Sequence, residues 1–204
     1  MPGVDISHLI IMGMKMIEPQ VDECGYKVYT YHYEKIFLDK VYYTQVDSDL
    51  TLATKKAIHT ASIHHNDKLA GVIDKEFLLY GKQTNELGDL IFPITDFLYK
   101  HISNITAARC FLQDMWVNIQ EKNEFNPLHD HNGKFSFVWY LDVPEAIRNS
   151  DIRGKIQFTS CLSNNMLTMN PKTNDLFIFA NSHSHQVYPF NLNVTRISIS
   201  GNIY

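Results

Sequence analysis

Two histidines in one short apolar stretch are the residues of this chain best suited to begin a metal site. His129 and His131 lie two residues apart in NPLHDHNGKFSFVWYLDVP, residues 126–144. Because a strand directs alternate side chains to opposite faces, both histidines are predicted to face one way and Asp130 the other. Two neutral imidazoles on one face are typical ligands of a divalent metal. The stretch therefore predicts two ligands of a metal centre whose remaining ligands lie elsewhere.

A second histidine pair follows a later apolar run. His183 and His185 occur in NSHSHQVYP, directly after the predicted strand DLFIFA. In a β-roll a late strand can lie beside an earlier one, so either histidine could meet the first pair across the mouth of the roll. We therefore expect this segment to supply the third ligand.

The segment TRISIS places a cation and a hydroxyl, Arg196 and Ser198, on the same strand face. A guanidinium buried at the end of a β-core needs an anion, and no acidic residue follows Asp175. A small-molecule carboxylate would satisfy it through a bidentate pair, with the serine hydroxyl as a further donor. The alternative is a structural ion pair with a distant acid such as Asp142 or Glu145.

In chain order these residues read His-x-His, a long gap, His185, and then Arg-x-Ser. This order resembles the iron(II)- and 2-oxoglutarate-dependent oxygenases, whose signature is His-x-Asp, a distal His and Arg-x-Ser. The prolyl-4-hydroxylase-like branch, with its bacterial and phage relatives, is the most similar. Its first motif is followed by a strand like 138–141 (VWYL), and its distal motif resembles 185–189 (HQVYP), which favours His185 over His183. The resemblance covers residues 107–204.

The resemblance implies a cofactor, a co-substrate and a reaction. Iron(II) would be held by His129, His131 and His185, and 2-oxoglutarate by Arg196 with Ser198. Together with O2 these would convert 2-oxoglutarate to succinate and hydroxylate a C–H bond of a substrate.

His131 departs from the family pattern, which has aspartate at this position. Three imidazoles would leave the metal its full positive charge, which favours the dianionic co-substrate but weakens iron retention or changes metal preference. Alternatively, Asp130 turns inward at a bulge and restores the carboxylate. Strand alternation favours His131.

Two further residues match pocket positions of the same family. Asn118 could hydrogen-bond the co-substrate from the floor of the roll, or it could lie on the outer face of the sheet. Trp139 aligns with an aromatic residue that lines the 2-oxoglutarate pocket, although plain core packing is the safer interpretation.

Around these residues the pattern predicts helices first and strands later. Capping residues Asp47–Asp49 precede a helix that ends near His65, and a second helix spans 85–101 with Pro93 inside it. After residue 106 short alternating strands dominate. We therefore predict an α+β, mainly β fold, in which N-terminal helices buttress a jelly roll (double-stranded β-helix). The whole chain, 1–204, is predicted to be one domain. Its supporting elements lie in 1–106 and the roll in 107–204.

Composition narrows the classes of partner. The net charge is −4 and no basic block occurs, which disfavours nucleic acid as a partner. The three cysteines are scattered, as is typical of reduced thiols. The apolar run 9–14 is too short for a signal peptide or a membrane span. We therefore expect a soluble cytoplasmic protein.

The substrate is not encoded in a readable motif. The branch favours a prolyl residue of a protein or peptide, with a free amino acid or small metabolite as the alternative, and the choice would reside in loops 122–127 and 160–174. Two other functions compete: a catalytically silent β-roll for binding or assembly, and a three-histidine cupin-like dioxygenase without 2-oxoglutarate. The Arg196-x-Ser198 motif argues against the latter.

Overall fold

A computed structural model of the chain describes residues 20–21, 27–30, 40–106, 109–149, 152–160 and 166–204. The apolar run 9–14 lies outside these ranges, as do Cys24 and Cys161.

Thirteen strands and three α-helices occur in the described part of the chain. The helices are α1 (Ser48–Ala57), α2 (Ile91–Ile105) and α3 (Glu145–Arg148). The strands are β1 (Gln20–Val21), β2 (Lys27–Thr30), β3 (Lys40–Gln45), β4 (Lys75–Gly81), β5 (Thr84–Asn85), β6 (Leu112–Gln120), β7 (Asn126–His129), β8 (Phe135–Asp142), β9 (Ile156–Ser160), β10 (Met166–Met169), β11 (Asp175–Ala180), β12 (His183–Val187) and β13 (Arg196–Ile203).

The strands form two antiparallel sheets that face each other as a roll. Nine strands make the larger sheet, in the order β1-β2-β3-β11-β8-β13-β6-β4-β5, and four make the smaller one, in the order β10-β9-β12-β7. From β6 onward the chain passes back and forth between the two sheets. This is the jelly-roll arrangement, which leaves a space between the sheets at the end where their polar residues face inward.

Alternation along β8 divides its side chains between two cores. Phe137, Trp139 and Leu141 point into the larger core, on the outer face of the nine-stranded sheet. Val138 and Tyr140 point into the smaller core, between the sheets. Successive side chains of a pleated strand point to opposite faces of the sheet, so alternate residues of β8 pack in different cores.

The larger core is shared with α2, whose buried residues recur at three and four: Ile91, Ile94, Leu98 and Ile102. The helix begins later than predicted, after a 3-10 turn at Gly88–Leu90, and continues to Ile105. Pro93 therefore lies in the first turn, where a missing backbone N–H removes no helical hydrogen bond.

Helix α1 is shorter than predicted. Its N-cap is Asp47, whose Oδ1 accepts hydrogen bonds from the N–H groups of Asp49 (2.8 Å) and Leu50 (3.2 Å). The helix ends at Ala57 instead of near His65. Residues 63–65 instead pair with β4, where the N–H of His65 donates to the carbonyl of Glu76 at 2.9 Å. A single 3-10 turn at Ile58–Thr60 follows α1, and because the sheet satisfies the backbone groups of residues 63–65, the α-helix does not continue to His65.

Within the described ranges, α-helices are too short or too polar to cross a lipid bilayer.

Candidate active site

Strands β7 and β12 bring three histidines together at the open end of the roll. The two strands are antiparallel neighbours, and His185 lies directly opposite His129. His131 follows two residues after the end of the described β7 strand. One ring nitrogen from each of the three imidazoles lies within 4.8 Å of the other two. The arrangement matches the donor spacing of a mononuclear metal site.

The three rings contact one another in pairs. Their centroids are 4.3 Å apart for His129 and His185, 4.9 Å for His129 and His131, and 5.1 Å for His131 and His185. Neither of the other candidates from the sequence joins this group. The side chain of Asp130 is exposed, and His183, although buried, lies outside the group.

Burial keeps the imidazoles of His131 and His185 neutral, with lone pairs free to coordinate a metal. Desolvation lowers the pKa of His131 to about 4, with a further lowering from His129 and an opposing effect of Asp130. Desolvation, followed by the neighbouring His129 and His131, holds the pKa of His185 well below its ordinary value. This donor set fits iron(II), which imidazole ligands suit well.

The orientation of His129 is fixed by its own strand. Its Nδ1 lies 2.7 Å from the carbonyl oxygen of Pro127. A carbonyl can only accept, so Nδ1 carries the proton and Nε2 retains the lone pair. This is the usual second contact of a metal-binding histidine, because it sets both the tautomer and the direction of the ring.

A cavity of about 360 Å³ lies between the sheets and includes the histidine group in its wall. Its other polar lining includes residues of β4, β6, β7, β8 and β13. The predicted residues Arg196, Ser198 and Asn118 all line it. The structure therefore gathers both predicted motifs around one space.

Arg196 is buried (2% exposed), yet it forms no salt bridge with any described acidic residue. Its Nη1 donates to the carbonyl of Gly154 and its Nη2 to Oε1 of Gln120, while its Nε has no partner. Gly154 has φ +68°, and a Cβ there would lie 2.2 Å from Ile147, so glycine is required where its carbonyl meets the guanidinium. Desolvation by burial lowers the pKa of Arg196.

The ion pairs suggested as alternatives for Arg196 are not formed. Asp142 instead pairs with Lys55 of α1. Glu145 is exposed in α3. Within the described ranges Arg196 forms no salt bridge, so its charge faces the cavity without a counter-ion from the chain. A buried cation of this kind is a receptor for an external carboxylate.

Three strands place Asn118, Ser198 and Tyr140 side by side on the cavity floor. In the sheet register Ser198 lies opposite Asn118 on one side and opposite Tyr140 on the other. Asn118 Nδ2 donates to Oγ of Ser200 at 3.1 Å, and Asn118 Oδ1 is buried without a partner. Asn118 therefore faces the cavity and not the outer surface of the sheet.

Trp139 does not line the cavity, contrary to its alignment with a pocket aromatic residue. It packs in the larger core, because it stands on the opposite face of β8 from the cavity. The neighbouring Tyr140 lines the cavity instead, with its ring centroid 5.4 Å from the guanidinium carbon of Arg196. The Tyr140 hydroxyl is buried without a hydrogen-bond partner, and desolvation by burial raises its pKa to about 12. Strand alternation, applied to the register of Ser198, could have identified Tyr140 from the sequence.

Glu76 is a second cavity residue that the sequence did not indicate. It lies on β4 opposite Asn118, is 1% exposed, and lines the cavity. Neither carboxylate oxygen has a hydrogen-bond partner. Desolvation by burial, followed by repulsion from Glu124, raises its pKa to about 7. It belongs to the half of the chain without motifs, so no pattern distinguished it from an ordinary strand residue.

Comparison with known proteins agrees with this geometry. Residues 114–202 match the family described as "Putative 2OG-Fe(II) oxygenase". The match spans β6 to the end of β13, the segment that carries the histidines and Arg196. No curated protein matches the sequence. The resemblance predicted from the motifs is confirmed.

Solved structures with the same fold include two prolyl hydroxylases and the protein HygX. A prolyl-4-hydroxylase from Pseudomonas putida has 14% identity and a TM-score of 0.54, with 78% of this chain and 90% of that chain covered. The viral collagen prolyl hydroxylase from Paramecium bursaria Chlorella virus-1, in a 2-oxoglutarate complex, has 14% identity and a TM-score of 0.52, with 79% and 94% covered. HygX from Streptomyces hygroscopicus, with nickel, 2-oxoglutarate and hygromycin B bound, has 8% identity and a TM-score of 0.61, with 80% and 82% covered. At these low identities the structural similarity shows the fold alone, and the predicted jelly roll is confirmed.

Proposed function

Because residues 114–202 match the family described as a 2OG-Fe(II) oxygenase, we propose that this protein is an iron(II)- and 2-oxoglutarate-dependent dioxygenase that hydroxylates a C–H bond. The observation that carries the proposal is the cavity itself. It joins three convergent imidazole nitrogens to a buried guanidinium that has no anion of its own.

His129, His131 and His185 would hold the iron. When bound, iron(II) with 2-oxoglutarate and O2 supplies the oxidising chemistry, in which 2-oxoglutarate becomes succinate and CO2 and the substrate C–H becomes C–OH. The hydrogen bond from His129 Nδ1 to Pro127 keeps one ligand aimed into the cavity. His131, and not the exposed Asp130, is the proposed third ligand, because only His131 belongs to the convergent group.

Arg196 would hold the distal carboxylate of 2-oxoglutarate. The Ser198 and Tyr140 hydroxyls line the same cavity, and each can donate a hydrogen bond to a carboxylate oxygen. Asn118 remains a proposed cavity contact, but its free atom is the acceptor Oδ1. It therefore suits a hydrogen-bond donor on a ligand better than a second carboxylate.

The proposed substrate is a prolyl residue in a protein or peptide. Two of the similar structures are prolyl hydroxylases, which supports this choice at the level of the fold. A cupin-like reaction without 2-oxoglutarate is less well supported, because it gives the buried Arg196 no partner.

The deciding experiment is anaerobic addition of iron(II) and then 2-oxoglutarate to the purified protein. We expect a weak visible charge-transfer band, and slow succinate release once O2 is admitted. The matched control is Lys55→Met, which removes the half-buried cation of the Asp142 pair and should leave the band intact. Absence of both the band and succinate would refute the dioxygenase function and favour a silent binding protein.

A further inference from the structure

Glu76 is a buried carboxylate that faces the cavity without a partner. Its side chain lines the cavity, it is 1% exposed, and neither Oε1 nor Oε2 has a hydrogen-bond partner. It forms no salt bridge with any described residue. A buried carboxylate left in this state is costly, because neither a counter-ion nor a donor replaces its hydration. Such a carboxylate is retained where a ligand supplies its missing ionic or hydrogen-bond partner.

Two amide oxygens join Glu76 in the same wall. Asn126 Oδ1 and Asn118 Oδ1 are both buried without hydrogen-bond partners, and both residues line the cavity. A methyl group added at Gly71 would lie 2.0 Å from Asn126 Oδ1 and 3.2 Å from Glu76 Oε1, so these two oxygens converge on one point. Asn118 lies directly opposite Glu76 in the sheet register. The wall therefore presents unpaired acceptor atoms from three residues.

The charges in the cavity are separated. Arg196 on β13 and Glu76 on β4 lie on opposite sides of β6, since the sheet order is β13-β6-β4. Arg196 is the only lysine or arginine among the described residues that line the cavity. Glu124 adds negative potential near Glu76, because it raises the pKa of that carboxyl. One side of the cavity therefore suits an anion and the other suits a cation.

We propose that Glu76 binds a protonated primary amine of the substrate, with Asn118 and Asn126 accepting its remaining N–H groups. An ammonium group has three donors and no acceptor, which matches the acceptors of these three residues. A calcium ion would need six to eight oxygens, which is more than this wall offers. The proposal deepens the proposed function and rests on it only in treating the cavity as the substrate site.

The test measures binding in the absence of iron and 2-oxoglutarate, with a chelator present. Butylammonium and its neutral analogue 1-butanol are titrated into isotope-labelled protein at pH 8, and the NMR signal of the Trp116 indole, which lines the cavity, is followed. At this pH both the amine and Glu76 carry their charges, because the pKa of Glu76 is about 7. We expect saturable binding of butylammonium and a smaller effect of butanol.

The variants separate charge from shape. Glu76→Gln should weaken butylammonium binding at least ten-fold, Glu76→Asp should retain part of it, and Glu145→Gln, which removes an exposed glutamate of α3, should change nothing. Asn126→Ala keeps the carboxylate and should weaken binding less than Glu76→Gln does. Equal binding of amine and alcohol, or unchanged amine binding in Glu76→Gln, would overturn the proposal.

A second arm identifies the source of the amine. Two prolyl peptides that differ only in lysine or norleucine beside the proline are compared by succinate release from the iron-loaded enzyme. Preference for the lysine peptide assigns the amine to a peptide side chain, whereas turnover with a free alkylamine alone assigns it to a small molecule. If amine binding is observed but no charge-transfer band forms, the oxygenase function fails while the amine site stands. If the band forms without amine binding, the amine site fails while the oxygenase function stands.

Discussion

Arg196 lies directly opposite Gln120 in the β6–β13 register and donates to an amide oxygen there, not to a carboxylate. The amide orients the guanidinium without neutralising it. The positive charge is thus positioned by neutral groups and remains available to a ligand, which is the property of a binding residue and not of a structural ion pair.

Removal of this charge should abolish co-substrate binding and spare the metal. We expect Arg196→Met to weaken 2-oxoglutarate binding about 100-fold, since loss of one partner of a buried charge pair costs 2–5 kcal/mol. Titration of the charge-transfer band measures this loss. Arg196→Lys should recover part of the affinity, and an unchanged affinity in Arg196→Met would show that the carboxylate binds elsewhere.

Tyr140 should contribute a smaller share of the same affinity. Its buried hydroxyl has no partner in the protein, so a carboxylate beside Arg196 would give it one. Tyr140→Phe should weaken 2-oxoglutarate binding roughly ten-fold, the value of one hydrogen bond to a charged group. Trp139→Phe, one residue away but in the other core, is the control and should leave this affinity unchanged.

The ligand assignment can be decided by metal content. We expect His129→Ala, His131→Ala and His185→Ala to lose iron, and Asp130→Ala to retain it, because only the histidines converge. Elemental analysis of anaerobically loaded protein measures the iron. Loss of iron in Asp130→Ala with retention in His131→Ala would reverse the assignment.

The exchange of a carboxylate for an imidazole at position 131 should have opposite effects on the two ligands. His131→Asp lowers the net positive charge of the centre by one. Iron(II) should be held more tightly and 2-oxoglutarate more weakly, because a less positive centre attracts the dianion less. Competition with a chromogenic chelator and 2-oxoglutarate titration measure the two effects. If both affinities change in the same direction, this charge argument is wrong.

Glu76 should make the stability of the protein depend on pH. Its pKa is raised from 4.5 to about 7 in the folded state, so the folded state holds the proton more tightly. The resulting stabilisation is fully present below pH 4.5 and is lost as the pH rises through about 7. It amounts to about 3 kcal/mol, from 1.36 kcal/mol per pKa unit.

Denaturant unfolding of metal-free protein measures this effect. The free energy of unfolding of the wild type, relative to that of Glu76→Gln, should fall by about 3 kcal/mol between pH 4.5 and pH 8. The same comparison with Glu145→Gln, at an exposed site, should show no such fall. A flat difference for Glu76→Gln would mean that the carboxyl finds a partner in solution.

The sequence was sufficient to predict the candidate site where the positions of its residues depend on strand periodicity and on spacing along the chain. The same-face relation of Arg196 and Ser198 follows from the two-residue repeat of β13. His131 converges with His129 as predicted, although it lies just beyond the end of β7, and the structure places all four side chains on one cavity. Trp139 packs in the larger core, as the safer interpretation from the sequence has it, whereas Tyr140, which was not singled out from the sequence, lines the cavity on the opposite face of β8.

Other features depend on tertiary contacts that a local pattern does not contain. The early end of α1 is set by pairing of residues 63–65 with β4, a contact made only in the folded sheet. The placement of Glu76 in the cavity depends on β4 joining the sheet beside β6. An acidic residue in the sequence of β4 does not indicate that β6 will be the neighbouring strand.

Two of the proposed iron ligands, His129 and the opposite His185, are fifty-six positions apart in the chain. During folding, the site cannot exist until β12 has closed onto β7, a non-local and therefore slow step. Iron thus cannot act as a template for the fold, and only the completed roll can capture it. Once captured, the metal should oppose separation of β7 from β12 by mass action, so that loss of iron and opening of the roll become linked events.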